Sequence, residues 1–274
     1  HLPNNSYNRY NCTARYTTHF LNDKLTLDIG AQYIVQNNKN MVSQGQYYNP
    51  LPSLYLFPRG DNFDEIRLYE RYNTNYGYME QYWPYGDASL SLQNPYWIQN
   101  RINRTSNKKR YMMNASLKWQ ATDSLNVVGR GHLDNSDYRN KNEKSASTLT
   151  TFCGVSGGFE DAMRQERSLY ADFLANIDKT FGDFHLTANV GASIYHTSMD
   201  QLYIAGDLVI PNFFQINNIN FSANYKPDPT GYEDEIQSIF ASAELSWKNH
   251  LYLTVTVRND WESKLAFSKQ KSFF

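Results

Sequence analysis

A chain of 274 residues with 26 Lys plus Arg against 27 Asp plus Glu has a formal charge of −1, which gives no basis for general nucleic-acid binding. A mean hydropathy of −0.67 is too polar for helical membrane spans, and no run approaches the roughly 18 apolar residues such a span needs. The length allows one large domain or two modest ones; aromatic content, 15% with 22 Tyr, is the feature that stands out.

The opening HLPNNSYNRY lacks the charged start and apolar centre of a secretory leader, so the sequence reads as an intracellular protein, a mature chain or an incomplete piece. From Asn11 to Phe20 the residues alternate, with Cys12, Ala14, Tyr16, Thr18 and Phe20 on one face and Asn11, Thr13, Arg15, Thr17 and His19 on the other. After LNDK, Leu25, Leu27, Ile29, Ala31, Tyr33 and Val35 continue the pattern. It returns from Tyr111 to Trp119 and, past QATDS, from Leu125 to Leu133. It returns again from Ala171 to Ile177 and, past TFGD, from Phe184 to Ile194. A last pair runs from Ile239 to Trp247 and, past WKNH, from Leu251 to Val257. The period predicts about eight antiparallel strands in four hairpins with short polar turns, an all-β fold.

The connections between hairpins are long, over 41–109, 140–165 and 206–234. Compact soluble domains rarely carry loops beyond about 15 residues, and tight turns at one end with long loops at the other is the pattern of an outer-membrane barrel. Phe20, Trp119, Phe181, Phe184 and Trp247 sit beside the short turns, where an interfacial girdle belongs. On this reading the apolar face meets lipid and Arg15, Lys118, Arg130, Asp172 and Glu244, all on the polar face, line the lumen or touch a plug. Alternation alone leaves open a complete eight-stranded barrel serving as an adhesin or structural protein, and a secreted all-β carbohydrate-binding module.

The chain carries no GxSxG, HExxH or P-loop, its six His are scattered without metal-ligand spacing, and neither acidic cluster has the order of a calcium loop; no enzyme activity, metal or cofactor is expected. Those clusters, Asp61 with Asp64 and Glu65, and Glu233 to Glu235, read as solvated loop charge. Cys12 and Cys153 read as unpaired thiols. The first long loop, 42–110, holds ten Tyr and two Trp. Tyr55, Arg59, Asp61, Tyr82, Trp83 and Trp97 are its candidate contacts, as a ligand platform, a protein interface or a self-packed cap. Arg258, Asp260 and Trp261, where the last strand leaves the apolar stretch, either anchor a loop or touch substrate.

Four stretches resemble the SusC/RagA class of TonB-dependent outer-membrane transporters of Bacteroidetes: YYNPLPSLYLFPRGDNF (Tyr47 to Phe63), NPYW (Asn94 to Trp97), GDLVIPNFFQINN (Gly206 to Asn218) and the closing LYLTVTVRNDWESKLAFSKQKSFF. The resemblance runs through almost the whole chain and implies the middle of a plugged barrel of about 22 strands, with the chain ending at the threshold of a ninth strand. Signal peptide, plug and remaining strands have no counterpart in it. The resemblance further implies import of oligosaccharides or, in the RagA branch, peptides, with a SusD-like surface lipoprotein as lid and TonB as energy source. It favours a partner interface combined with self-packing for the aromatic loop.

Overall fold

The computed structural model describes residues 2–221, 227–248 and 250–265 and the backbone of 271–273; AFSKQ and the final Phe of the closing motif lie outside them. Eight long strands form one antiparallel sheet: β1 (Ser6–Phe20), β2 (Leu25–Lys39), then, after a small ribbon of β3 (Glu70–Asn73) and β4 (Tyr78–Gln81), β5 (Ile102–Thr122), β6 (Leu125–Lys144), β7 (Gly158–Phe181), β8 (Phe184–Asp207), β9 (Asp228–Trp247) and β10 (Leu251–Glu262). A short β11 (Lys271–Phe273) adds a ninth strand, pairing Asn259 with Phe273. Each strand lies beside its sequence neighbours in the order β1-β2-β5-β6-β7-β8-β9-β10-β11.

The four hairpins stand where the alternation places them, but the strands run further than it predicts. β5 starts at Ile102, β6 reaches Lys144, β7 starts at Gly158 and β8 reaches Asp207. The loops are therefore 40–101, 145–157 and 208–227, and Ile102–Arg110 belongs to a strand rather than to the aromatic loop. Away from the apolar band a strand needs no apolar face, so the period-two signal fades while the backbone ladder continues.

Register keeps the alternating apolar residues of successive strands on one side. One row runs Phe20, Leu25, Trp119, Val127, Ala175, Val190, Ala241, Val257. It begins beside a turn in β1 and ends well inside β10, so the strands are staggered and inclined to the apolar band, as a barrel wall requires. From Tyr10 to Phe20, a strand rising about 3.3 Å per residue and tilted about 40° climbs roughly 25 Å, the height of the apolar band of outer-membrane barrels. Near the turns Phe181 stacks on Phe184 with centroids 6.1 Å apart, and Phe184 pairs with Trp247.

The apolar face has no core behind it: Val190, Phe173, Ile239 and Leu253 are all more than half exposed, whereas Asp172 on the other face is 7% exposed. The sheet remains open between β1 and β10–β11, so among the described residues the closed eight-stranded barrel is not formed. An eight-stranded interior has room only for its own side chains, and this polar face carries Arg, Tyr and Phe throughout. The buried apolar clusters lie at the long-loop end, Trp97, Ile98 and Ile102 in one, Phe159, Ile204, Leu208 and Ile219 in the other.

Candidate functional site

The polar face is cross-linked by side chains that the register sets opposite one another. One row runs Thr17, Asp28, Ser116, Arg130, Asp172, Ser193, Ser238, Asp260. Asp28 receives Arg15 at 2.9 Å and the Thr17 hydroxyl at 2.7 Å. Arg130 holds Asp172, whose side chain has no exposure at all, at 2.9 Å. Arg110 pairs with Asp134. Arg258 donates through Nε to both Asp260 oxygens, at 2.8 and 3.0 Å, and through Nη2 to Ser238 Oγ at 3.0 Å. Glu244 accepts from Thr254 Oγ1 at 3.0 Å, while Lys118 is exposed and makes no ion pair among the described residues. Arg15, Lys118, Arg130, Asp172 and Glu244 thus share the polar face. Gly191 is required there: a Cβ would sit 2.8 Å from the Phe240 ring and from the Phe173 carbonyl oxygen.

Arg258, Asp260 and Trp261 do not form one site. Arg258 and Asp260 lie on the polar face, while Trp261 is on the apolar side beside Ala171, Phe173 and Ile194. Adjacent strand residues point to opposite faces, so the motif divides across the sheet.

The first long loop is a folded cap. Asn49 caps α1 (Pro50–Tyr55), accepting from Leu51 N, and Asn94 caps α2 (Pro95–Arg101), accepting from Tyr96 N; each helix opens on the Pro that follows. Asn94 is fully buried, and its Nδ2 also donates to the carbonyls of Ile66 at 2.8 Å and Tyr82 at 2.9 Å. Trp97 is 0% exposed and donates from Nε1 to Thr148 Oγ1 at 3.1 Å, joining the cap to the next loop. Phe57 contacts Phe63 and Tyr85, Tyr85 contacts Trp83, and Arg71 lies 3.5 Å from the Tyr82 ring centre. Burial, followed by the hydrogen bond to Asp61, pushes the Tyr85 hydroxyl above its ordinary value.

The six expected contacts of this loop therefore separate. Tyr55, 84% exposed, and the exposed Arg59 and Asp61 face outward. Tyr82 and Trp83 are half-buried in the cap's own packing. Trp97 is sealed, and the expectation that it contacts a substrate or partner is corrected: its indole has a donor to satisfy and finds Thr148 inside the protein.

Sequence reasoning missed the residues that fasten the cap. Asn40, buried, donates to Gln99 O at 3.1 Å and accepts from Arg104 N at 2.8 Å. Arg104 donates to Ser43 Oγ and to the carbonyls of Met41, at 2.8 Å, and Tyr48, at 3.2 Å. Lys144 pairs with Glu160 and donates to Phe152 O at 2.9 Å, and Phe152 packs on Tyr48 with centroids 4.9 Å apart. The Asn-Pro pairs at 49–50 and 94–95 are helix-start signals present in the sequence; the tethers across distant segments left none.

The cysteines are both free, Cys12 on the apolar face and Cys153 buried under the second loop, where burial pushes its thiol up to about 11. The acidic clusters meet basic side chains: Asp64 lies 3.3 Å from Arg67, Asp234 2.9 Å from Lys264, and the His196 ring stands 3.3 Å from Glu233 and 3.6 Å from Glu235. Among the described residues no three His, Cys, Asp or Glu are grouped so as to hold a metal ion.

No family model and no curated protein matches the chain. Solved structures do. The RagAB peptide transporter superposes with a TM-score of 0.72 at 15% identity, and the RagAB peptide importer in its open-open state with 0.70 at 13%. In both cases 98% of this chain is covered and only 29% of the other, so the chain spans under a third of their length. The siderophore receptor PiuA from Acinetobacter baumannii gives 0.53 at 9% identity, covering 98% of this chain and 38% of its own. These neighbours are an importer and a receptor rather than enzymes. At such identities the likeness is one of fold, and by fold the chain is a segment of an antiparallel β-barrel wall like those of these proteins.

Proposed function

We propose that the chain forms the middle of the barrel of a SusC/RagA-type, TonB-dependent importer in the bacterial outer membrane. The reading is carried by the inverted polarity of the wall: a continuous exposed apolar face backed by a hydrogen-bonded polar face, held in one register across eight strands. A soluble module would bury the first face and wet the second. The polar ladder then lines the lumen and meets a plug, with Lys118 free to contact it. The long loops stand outside the cell, and the cap presents Tyr55, Arg59 and Asp61 to a SusD-like lipoprotein lid. The cargo is an oligosaccharide or a peptide, moved without making or breaking a bond and driven through TonB.

The test is uptake. Cells with and without the intact gene are given labelled oligosaccharide and peptide mixtures, with and without a protonophore. Uptake lost on deletion and on collapse of the proton gradient supports the reading. Uptake indifferent to both sinks it.

A further inference from the structure

Toward the long loops, the apolar run of the outer face stops at Val35 on β2, Tyr111 on β5, Leu133 on β6, Leu169 on β7 and Ile194 on β8. Two residues further along each strand, the same face carries Asn37, Lys109, Asn135, Arg167 and His196. This first polar rank holds cations and amides but no carboxylate. Lys109 and Arg167 are both exposed, and neither makes an ion pair among the described residues. Two strand spacings of about 4.8 Å and one step of two residues separate their Cα atoms by roughly 12 Å, with Asn135 between them. Their long side chains can therefore meet one headgroup.

The carboxylates of this face stand further from the apolar band. Asp137, opposite Lys109, already accepts from Gln165 Nε2 at 2.9 Å and from Asn135 Nδ2 at 3.3 Å. Beyond the first rank the outer face sinks into a groove of about 1080 Å³ that begins at Asn37 and Lys109. One register row runs through it: Asn37, Asn107, Arg139, Met163 and Leu202. Arg139 is held there by Asp161, at 3.2 and 2.9 Å. Asp137 and Asp200 also border the groove, so it suits hydroxyls rather than a further anion.

Three chemistries thus follow one another up the outer face: apolar, then cationic, then polar and close to neutral. We propose that the outer face of β5 to β8 binds one phosphorylated glycolipid of the outer leaflet. Its acyl chains lie on the apolar band, its phosphate between Lys109 and Arg167, and its sugar in the groove. The inference rests on the outer-membrane reading for which face meets lipid.

The experiment uses the full-length protein, stripped of lipid in tetraethylene glycol monooctyl ether, and native mass spectrometry to count retained lipids. Monophosphoryl lipid A is titrated against phosphatidylglycerol, which has the phosphate without the sugar, and digalactosyl diacylglycerol, which has the sugar without the phosphate. Lipid A should be retained most tightly. Each cation beside an anionic headgroup counts for about fivefold, so the double variant Lys109→Gln, Arg167→Gln should bind it about tenfold or more weakly. Lys24→Gln with Lys179→Gln, at the short-turn end, should leave binding unchanged. Inorganic phosphate at millimolar concentration should not displace the lipid. Equal retention of either comparison lipid, displacement by phosphate, or equal binding by the Lys109, Arg167 variant overturns the proposal. Heat-modifiable migration on gels checks that the variants fold; should the first not fold, the wild-type comparison of the three lipids decides. A protein that stays in solution without detergent would sink the outer-membrane reading, whereas one that needs detergent yet retains no lipid A would sink this inference alone.

Discussion

Arg130 and Asp172 sit directly opposite each other, yet their environments differ: the arginine side chain is 52% exposed and the aspartate 0%. Deleting the two partners should therefore have unequal effects. Asp172→Asn leaves a cation that water can reach and should cost about 1 kcal/mol. Arg130→Met strands a buried carboxylate and should cost about 2 kcal/mol or more. Urea unfolding from detergent micelles measures both, and equal effects would contradict the burial described. Cys153 gives a pH prediction. Its folded value of about 11 lies above the ordinary 9.0, so its contribution to stability is complete below pH 9 and is lost between 9 and 11, where the unfolded thiol ionises and the folded one does not. Maleimide labelling of Cys153 in the folded protein should accordingly stay slow at pH 8, and rapid labelling there would refute the burial. The placing of Arg130 and Asp172 was legible from alternation alone. The same rule already separates Trp261 from Arg258 and Asp260, but grouping them as one motif hid it.

At the scale of the element, the cap depends on Asn94 more than on any of its aromatics. The side chain closes the first turn of α2 and ties two distant carbonyls. Asn94→Ala leaves both carbonyls unpaired in a fully buried place and should loosen the cap by about 2–4 kcal/mol. Limited proteolysis should then cut within 62–101 while the barrel still shows heat-modifiable migration. A barrel that unfolds together with the cap would show that the two are not separable. The cap's aromatic density could be counted in the sequence, but not its arrangement. Self-packing of Phe57, Phe63 and Tyr85 depends on contacts that no periodicity encodes, and the extra strand length of β5 to β8 was hidden because its pairing is held by backbone.

For the whole molecule the importer reading turns on which face would meet lipid. Leu117 and Lys118 are neighbours on opposite faces of β5. Leu117→Lys puts a charge on the apolar face and should cost about 2–4 kcal/mol near the midplane, whereas Lys118→Leu should change stability by less than about 1 kcal/mol. Urea titration of the full-length barrel refolded into vesicles reads both, and the opposite order would turn the wall inside out.

Pairing only between sequence neighbours has a kinetic consequence. Four hairpins close across turns of a few residues, and loop-closure entropy is small for each. The junction of β2 with β5 must instead bring together Lys39 and Thr105 from either side of the cap. A chain of that length closes more slowly than any of the hairpins if it stays unfolded. Once the cap has folded, Asn40 already reaches both Gln99 and Arg104, and the two strand ends are delivered as though the intervening segment were a short turn. Assembly of the wall is then a zipper whose widest gap is bridged in advance by a domain that stands clear of the apolar band.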